Sequence, residues 1–287
     1  MSGLDRVVLR STDGASAEVY LHGAHVTSWR PAPDGDERLF LSARSDFRDG
    51  AAIRGGIPVI FPQFAAEGPL PKHGFARNTP WTLRDNRHDV DGSAVAVFTL
   101  ASSSSTQVIW PHSFLATITV RVRGTMLSVE LAVENTGADT FTFTAALHTY
   151  LRVDDIRQTT LVGLHGTRYR ESVAPTVFKV DTDEVLRIDG EVDRVYVDAP
   201  RSLTMKEHDR ELSIDAAGFN DVVVWNPGAL RAAELKDMEQ GGEQRMLCVE
   251  AATVQQPVRL HPDDRWTGSQ TLVALARETT QAATRLP

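Results

Sequence analysis

Apolar and polar residues alternate with a period of two through the middle of the chain. Residues 114–123 and 127–134 place an apolar side chain at nearly every second position, and the apolar run 141–147 follows the Asn135-Thr136-Gly137 turn. A period of two is typical of strands with one buried face. The pattern predicts three consecutive strands that form a meander in an antiparallel sheet.

Weaker alternation extends this pattern over most of the chain. Residues 7–10 and 17–21 flank Asp13-Gly14 and predict an opening hairpin. Further short strands are predicted at residues 94–100, 193–197, 203–206, 211–214, 222–225, 246–251 and 270–276. Only residues 229–238 suggest a helix, and residues 102–105 read as a short polar loop. So much strand with so little helix predicts an all-β fold, a large antiparallel β-sandwich. No repeat or composition break marks a linker, so we expect a single domain over residues 1–287.

One segment departs from the alternation. Residues 54–81 are rich in proline and glycine and have neither helix nor strand periodicity. Proline fixes φ and glycine permits left-handed turns, so this stretch predicts a long ordered loop, and such loops are usually functional. A stiff structural connection is the alternative. The loop carries hydrogen-bond donors suited to hydroxyl groups and an anion: Arg54, Gln63, Lys72, His73, Arg77 and Asn78.

Composition narrows the possible partners. The 287 residues carry a net charge of −8, which argues against nucleic-acid or anionic-membrane binding, because both require a basic surface. The first residues lack a signal-peptide pattern, and no apolar run approaches the roughly 18 residues of a membrane helix, so we expect a cytoplasmic protein. Cys248 is the only cysteine, which excludes an intramolecular disulfide and a cysteine-based zinc cluster.

Two ionisable residues occupy positions where strand stability alone does not explain them. His148 ends the apolar run 141–147, and Glu250 lies within the apolar run 246–252, which predicts burial on both faces. A buried carboxylate is costly unless it has partners or a chemical role. A core histidine bonded to a backbone carbonyl, and a glutamate paired with an arginine, are the structural alternatives. Cys248 is expected on the opposite strand face from Glu250, as a small core residue.

Seven blocks of sequence, in order, make the resemblance to a family specific. They are Arg54-Gly-Gly-Ile-Pro58, Pro62-Gln63, Leu70-Pro-Lys-His-Gly-Phe-Ala-Arg-Asn78, Leu147-His-Thr-Tyr150, Asp193-Arg-Val-Tyr196, Val224-Trp-Asn-Pro227 and Cys248-Val-Glu-Ala-Ala252. Together they resemble the hexose-6-phosphate mutarotases (glucose-6-phosphate 1-epimerases) of the aldose 1-epimerase superfamily, from about residue 54 to residue 266. The resemblance implies a galactose-mutarotase-like β-supersandwich that interconverts the α and β anomers of a hexose 6-phosphate without metal or cofactor.

The resemblance also implies residue roles. His148 matches the general acid and Glu250 the general base. Arg54, Arg77, Asp193 and His73 match substrate contacts. One position departs, because Lys72 stands where the family usually has glutamine before the His-Gly pair. A lysine there could replace the glutamine as a donor or add positive charge near the phosphate.

The residue types fit this chemistry independently of the family. Anomer exchange needs a base for the C1 hydroxyl proton and an acid for the ring oxygen, and both groups are regenerated when the ring recloses. The unperturbed pKa of histidine lies near neutrality, while burial raises the pKa of a glutamate and a neighbouring imidazolium lowers it. Arg54 and Arg77 suit phosphate recognition, and Asp193 suits sugar hydroxyls.

Other functions remain open from the sequence. A glycoside hydrolase could pair Asp193 with Glu250, although His148 would then have no role. A free-sugar aldose 1-epimerase or a non-catalytic sugar-phosphate sensor would use the same fold. The expected partner is a hexose 6-phosphate, with no nucleic acid and no membrane, and the protein is expected to be a monomer.

Overall fold

The computed structural model of this chain describes residues 3–32, 35–173, 176–208 and 210–275. Strands dominate its first half: β1 (Arg6–Arg10), β2 (Ser16–Tyr20), β3 (His25–Arg30), β4 (Val59–Ile60), β5 (Thr82–His88), β6 (Ala94–Ala101), β7 (Phe114–Arg123), β8 (Met126–Asn135), β9 (Phe141–Leu147) and β10 (Tyr150–Arg152). The second half adds β11 (Thr159–Val162), β12 (Arg168–Glu171), β13 (Phe178–Val180), β14 (Val185–Arg187), β15 (Val192–Tyr196), β16 (Ser202–Glu207), β17 (Arg210–Ala217), β18 (Asp221–Asn226), β19 (Met246–Leu260) and β20 (Arg265–Leu275). The helices are α1 (Ser104–Ile109) and α2 (Gly228–Glu234), with 3₁₀ turns at Ala76–Asn78, Ile156–Gln158 and Gly242–Arg245.

These strands form two large antiparallel sheets and one small one. The eight-stranded sheet has the order β13-β12-β15-β18-β19-β9-β4, with β10 also paired to β19. The nine-stranded sheet has the order β14-β11-β16-β17-β20-β8-β7-β6-β5, and β1-β2-β3 form the third sheet. This architecture confirms the predicted all-β sandwich. The expectation of one domain over residues 1–287 reaches beyond the described ranges and stays a prediction.

The predicted strands are confirmed over the described residues, but one predicted pairing is wrong. The opening hairpin forms as β1 and β2, and β6, β7 and β8 form a meander. The run 141–147, predicted to follow β8 in the same meander, crosses to the facing sheet as β9 and pairs with β19 and β4. The physical reason is that both edges of β8 are occupied, by β7 and by β20.

The helix predictions also need correction. The predicted helix at residues 229–238 forms as α2 but ends at Glu234. A second helix, α1, occupies part of the stretch interpreted as a polar loop. Ser103 caps it, because the Ser103 side chain accepts from the Thr106 backbone N–H while the Thr106 hydroxyl accepts from the Ser103 N–H, which is a capping box. No helix in the described ranges is long and apolar enough to cross a membrane.

The two faces of β19 belong to different environments. Leu247, Val249 and Ala251 join the large hydrophobic cluster shared by both large sheets. The alternate residues Cys248 and Glu250 face the other way, toward the surface of the eight-stranded sheet that lies away from the nine-stranded sheet, which we call the outer face. Loop 54–81 and α2 cover the outer face, so every residue from 246 to 254 is buried. The sequence prediction of burial on both sides is confirmed.

Loop 54–81 is anchored in the core at Phe61. Its ring makes edge contacts with Phe75, Trp110, Phe114 and Phe143 at centroid distances of 5.3–6.2 Å. The loop returns to the same point, since the backbone N–H groups of Phe75 and Ala76 both donate to the Phe61 carbonyl. The functional side chains between these points are thereby held against the sheet.

Gly74 is required where the loop returns to Phe61. Its φ is +68°, and a β-carbon at this position would overlap the carbonyl oxygen of Phe61. We expect Gly74→Ala to lower the free energy of unfolding by roughly 1–2 kcal/mol for the left-handed backbone and by roughly 1–3 kcal/mol more for the overlap.

Gly166→Ala is the matched control for urea unfolding. Gly166 has a φ of +76°, and a β-carbon added there would meet no atom within 4 Å, so its substitution carries the backbone cost alone. Equal losses for the two variants would contradict the close approach at Gly74.

Candidate active site

Strand register brings distant parts of the sequence together on the outer face. One row of paired residues runs Asp193, Trp225, Cys248, Tyr150 across β15, β18, β19 and β10. A neighbouring row runs Val195, Val223, Glu250. His148 follows β9, whose Leu147 pairs with Ala251, so His148 lies beside Glu250. The predicted acid and base therefore meet because their two strands are neighbours in the sheet.

His148 and Glu250 form a buried pair. The His148 Nδ1 lies 3.3 Å from the Glu250 Oε1, with the side chains 9% and 1% exposed. Neither His148 Nδ1 nor Glu250 Oε2 has a hydrogen-bond partner among the described residues. Buried polar atoms are nearly always bonded, so an unpartnered acid and base at the bottom of a covered surface mark a place for a ligand.

Burial favours the neutral form of both groups. It raises the pKa of Glu250 well above its ordinary value; Asp193 adds to this rise, and Arg77 opposes it. Burial also lowers the pKa of His148 well below its ordinary value, with the positive charges of Arg77 and Arg54 acting in the same direction. The sequence left open whether burial or charge dominates at Glu250, and the structure indicates that burial does.

His73 faces His148 with a defined proton position. The ring centroids lie 5.6 Å apart, and the His73 Nδ1 accepts from the Ala65 backbone N–H at 3.2 Å. Burial lowers the pKa of His73, with Arg77 and His148 contributing, so the ring is neutral. A neutral ring that accepts at Nδ1 carries its proton on Nε2. His73 is therefore a hydrogen-bond donor from Nε2.

Gln63 has a structural role. Its side-chain amide donates to the Leu70 carbonyl at 3.0 Å and accepts from the Leu70 N–H at 2.9 Å. The amide also donates to the Ala65 carbonyl at 3.3 Å. These bonds tie the two ends of residues 63–70 together, so the amide is committed within the loop.

Arg54 is also largely committed. One terminal nitrogen donates to the Tyr150 hydroxyl at 2.9 Å, and the other lies 3.1 Å from Asp237. The Arg54 Nε is buried without a partner among the described residues. Tyr150 and Asp237 were not singled out from the sequence, although Tyr150 stands in the Leu147-His-Thr-Tyr150 block.

Three cationic residues, Arg77, Lys72 and Arg231, form what we call the positive rim of the site. Arg77 is half-buried, its Nε has no partner among the described residues, and one terminal nitrogen donates to the Lys72 carbonyl. Lys72 is exposed as a residue, and its pKa is lowered by partial desolvation of its amine and by the charges of Arg231 and Arg77. Arg231 on α2 is exposed, lies 3.8 Å from Glu191, and was not expected from the sequence.

Asp193 supplies the acceptor on the opposite wall. Its carboxylate accepts from the Ser172 hydroxyl at 2.5 Å, and burial raises its pKa. Trp225, its cross-strand neighbour, is half-buried and could stack on a sugar, whereas Phe61, Phe64 and Phe75 are core residues. Most of the predicted site residues thus converge on one surface, with Arg54 and His73 held by protein partners.

The predicted orientation of Cys248 is wrong. Residues two apart on a strand share a face, so Cys248 lies on the same face as Glu250. The ligand atoms of His148, Cys248 and Glu250 all lie within 4.8 Å of one another, and in the described ranges this is the group that could hold a metal ion. Burial raises the pKa of the Cys248 thiol, which keeps it protonated and a weak nucleophile.

A separate cleft of about 510 Å³ lies on the far side of residues 63–70. It is lined by Arg259, Glu67 and His112 and, of the donors predicted in loop 54–81, by Gln63 alone. Arg170, which is buried, holds Glu67 at this side through contacts of 2.8 and 3.0 Å to both carboxylate oxygens. Glu67 is paired with Arg170 and His112 packs on Trp110, so the outer face, with its contact between His148 and Glu250, is the stronger candidate site.

Known proteins resemble this chain over most of its length. The family model described as aldose 1-epimerase matches residues 5–272. A protein of Cenchrus ciliaris named "Putative glucose-6-phosphate 1-epimerase" is 35% identical over 96% of this chain and 86% of its own length. One of the same name from Escherichia coli K12 is 39% identical over 82% of this chain and 79% of its own length.

Solved structures of other proteins also resemble this chain over most of its length. The crystal structure of a "putative mutarotase (YeaD)" from Salmonella typhimurium has a TM-score of 0.88 and 32% identity, covering 96% of this chain and 92% of that one. A galactose mutarotase related enzyme from Lactobacillus acidophilus, 12% identical with a TM-score of 0.75 over 95% of this chain and 98% of that one, shows the fold alone.

The fold is therefore that of the galactose-mutarotase-like β-sandwich proteins, and its outer face carries a buried histidine and glutamate in contact. The chain belongs to the aldose 1-epimerase family and is an isomerase of that class.

Proposed function

We propose that the protein interconverts the α and β anomers of a hexose 6-phosphate, with glucose 6-phosphate as substrate. The observation that carries this proposal is the buried contact of 3.3 Å between His148 and Glu250, each with an unpartnered atom. The names of the relatives from Cenchrus ciliaris and Escherichia coli support the phosphorylated sugar. The cytoplasmic location and the monomeric state stay predictions.

Ring opening requires one proton to leave the sugar and one to arrive. Glu250 as carboxylate takes the proton of the C1 hydroxyl while protonated His148 gives its proton to the ring oxygen, and the C1–O5 bond breaks. The resulting aldehyde turns about the C1–C2 bond. On closure, His148 recovers its proton from the C5 hydroxyl and Glu250 returns one to the carbonyl oxygen. Each step exchanges protons between these two groups and the sugar, so the proposal needs no cofactor or metal.

Without a ligand, burial favours neutral His148 and neutral Glu250 over the charged pair that ring opening requires. Because burial raises the pKa of Glu250 and lowers that of His148, a pair that holds one proton carries it on Glu250. The reactive form differs by the transfer of this proton to His148, across a gap of 3.3 Å. Neutral Glu250 with neutral His148 is also the state of the pair after ring opening, so burial favours the ring-opening proton transfers.

The phosphate fits the positive rim. The Arg77 Nε has no hydrogen-bond partner among the described residues, Lys72 is exposed beside it, and guanidinium can hold two phosphate oxygens. Their charges lower the pKa of His148, so a bound phosphate dianion that neutralises them raises this pKa. Substrate binding therefore favours the protonated acid that ring opening requires.

The sugar hydroxyls have candidate partners on both walls. His73 donates from Nε2, as its Ala65 contact requires, and Asp193 accepts. Trp225, the cross-strand neighbour of Asp193, offers an aromatic face. A hydrolase that paired Asp193 with Glu250 would leave the close contact of His148 and Glu250 without a role, so we favour the epimerase.

His148→Ala and Glu250→Gln are each expected to remove most of the catalysed anomerisation and leave the fold intact. A general acid or base typically contributes roughly 10²- to 10⁴-fold in rate. Polarimetry on freshly dissolved α-glucose 6-phosphate measures the rate, and circular dichroism checks the fold. Near-native turnover by either folded variant would remove that residue from the mechanism.

The pH profile of kcat/KM is expected to be bell-shaped, because the reactive pair holds one proton. Below the lowered pKa of His148 the pair gains a second proton, and above the raised pKa of Glu250 it loses its last one. The acid limb therefore reports the titration of His148 and the alkaline limb that of Glu250, which is the reverse of the order that ordinary pKa values would give. The profile must be corrected for the substrate phosphate, which ionises at roughly pH 6.

The Arg77→Ala variant tests the direction in which a nearby positive charge shifts the two limbs of the pH profile. The Arg77 charge lowers the pKa of both His148 and Glu250, so its removal should raise both and move both limbs to higher pH. A profile that is flat from acid to strongly alkaline pH, or limbs that move to lower pH in this variant, would contradict the assignment.

Selectivity for the phosphorylated sugar should depend on Arg77. A charge-assisted hydrogen bond contributes roughly 1.5–3 kcal/mol, so Arg77→Ala should lower kcat/KM for glucose 6-phosphate by roughly 10- to 100-fold and affect glucose little. Lys72→Gln restores the residue usual in the family and should be milder. Equal kcat/KM for the two sugars in the unmodified protein would indicate a free-sugar epimerase.

A further inference from the structure

The hydrogen-bond ladder along β19 is interrupted beside His148. β9 ends at Leu147 and β10 begins at Tyr150. Between them, the Thr149 carbonyl accepts from the Val249 N–H at 3.1 Å, as in an antiparallel pair. The Thr149 N–H donates instead to the Leu147 carbonyl at 2.9 Å. The Val249 carbonyl therefore lacks the return bond that an antiparallel pair would give it from Thr149.

A side chain of the opposite sheet takes the place of the missing bond. The Gln270 side-chain nitrogen donates to the Val249 carbonyl at 3.0 Å, and the Gln270 side-chain oxygen accepts from the Thr149 hydroxyl at 2.5 Å. Gln270 belongs to β20, whose alternate residues Leu272 and Ala274 join the core between the two large sheets. Gln270 lies on the same face of β20. Its amide thus reaches across the sandwich and links the two strands at the interruption.

This link is polar although it lies in an apolar core. Gln270 is 3% exposed and Thr149 is 0% exposed. Burying an amide and a hydroxyl is costly, and replacing two bonded polar partners by apolar groups of the same shape can be nearly neutral for stability. A closed ladder would satisfy the Val249 carbonyl without any buried amide. The amide of Gln270 instead stabilises the interrupted ladder, so its role concerns the geometry of the strands at this point.

The two linked residues are the sequence neighbours of the proposed acid and base. Thr149 follows His148, and Val249 precedes Glu250. Consecutive residues of a strand point to opposite faces, so a link on the inner face fixes the backbone from which the two outer-face side chains project. The imidazole packs on the Tyr150 ring, with centroids 4.8 Å apart, but its Nδ1 has no hydrogen-bond partner among the described residues. Its separation of 3.3 Å from the Glu250 Oε1 therefore depends on where the two backbones are held.

We propose that Gln270 is a positioning residue that sets the separation of His148 and Glu250 by linking Thr149 to the Val249 carbonyl. Gln270 acts from the nine-stranded sheet, on the side of β19 opposite to the substrate, and therefore acts through the backbone. This inference rests on the proposed function, in which the acid and the base exchange protons with the sugar.

Thr149→Val and Gln270→Met test the proposal. Each variant keeps a side chain of similar shape; Thr149→Val removes one bond of the link and Gln270→Met removes both. A small displacement caused by a distant substitution can cost about 100-fold in rate, so we expect kcat to fall roughly 10-fold in Thr149→Val and up to about 100-fold in Gln270→Met. The factor should be the same for glucose 6-phosphate and glucose, with KM little changed. The double variant should lose less than the product of the two single losses, because both act through one link.

Thr149→Ser and Thr159→Val are the matched controls. Thr149→Ser keeps the hydroxyl that donates to Gln270, so it should recover most of the kcat lost in Thr149→Val. Thr159 is also 0% exposed, and its hydroxyl donates to the Asp155 carbonyl at 3.0 Å. Thr159→Val should be less stable in urea with unchanged kcat.

Two kinetic results would overturn the proposal. One is native kcat in a folded Thr149→Val variant, and the other is an equal loss of kcat in Thr149→Val and Thr149→Ser. Thr149→Val leaves the bond from Gln270 to Val249 in place, so this variant decides the question if Gln270→Met does not fold.

A second readout separates this proposal from the proposed function. The His148 ring signals in NMR spectra should shift in Gln270→Met, although the substitution lies across the sandwich, and should not shift in Thr159→Val. This holds whether or not the protein turns over sugar. An inactive unmodified protein with this shift would refute the epimerase and keep the positioning. An active unmodified protein whose His148 signals and kcat are unchanged in Gln270→Met would refute the positioning alone.

Discussion

The site depends on the burial of two ionisable groups in contact with each other. Glu250 and His148 lie under a loop instead of in water, and in that environment each prefers to be neutral. In the proposed mechanism, ring opening converts a carboxylate and an imidazolium into their neutral forms, so the burial of the pair bears directly on this step. A histidine and a glutamate at the surface would be charged at little cost in free energy, and they would gain little by exchanging protons with a sugar hydroxyl. Covering the pair favours its neutral form, and in the proposed mechanism the substrate phosphate offsets the effect of the positive rim on the pKa of His148.

The loop that covers the pair is held by its own contacts. Loop 54–81 pairs with β9 through β4, packs into the core at Phe61 and Phe75, and closes on itself through Gln63. Proline-rich backbone donates few hydrogen bonds, so side chains and the Phe61 carbonyl add to the short ladder between β4 and β9. The same turns place His73 with its Nε2 donor toward the site. The loop therefore covers the buried pair and, in the proposed function, also supplies substrate contacts.

Much of this could be predicted from the sequence, for identifiable reasons. Alternation revealed β7 and β8, and the misfit of Glu250 and His148 in apolar runs singled out two residues that the structure brings into contact. The crossing of β9 to the second sheet could not be predicted, because an alternating pattern shows which face of a strand is buried and does not show which strands pair with it. Tyr150, Asp237 and Arg231 were missed because they lie far from the loop in sequence and are common residue types. Cys248 was misplaced although the period of two was sufficient to assign its face correctly.

The most direct test of the central claim is two-dimensional exchange NMR on the H1 signals of equilibrated glucose 6-phosphate. The proton exchange described above predicts strong cross-peaks between the α and β anomers when a catalytic amount of protein is added, and none at the same mixing time in buffer alone. Absence of these cross-peaks, with the sugar signals nevertheless broadened or shifted by binding, would contradict catalysis and identify a protein that holds the sugar phosphate without converting it.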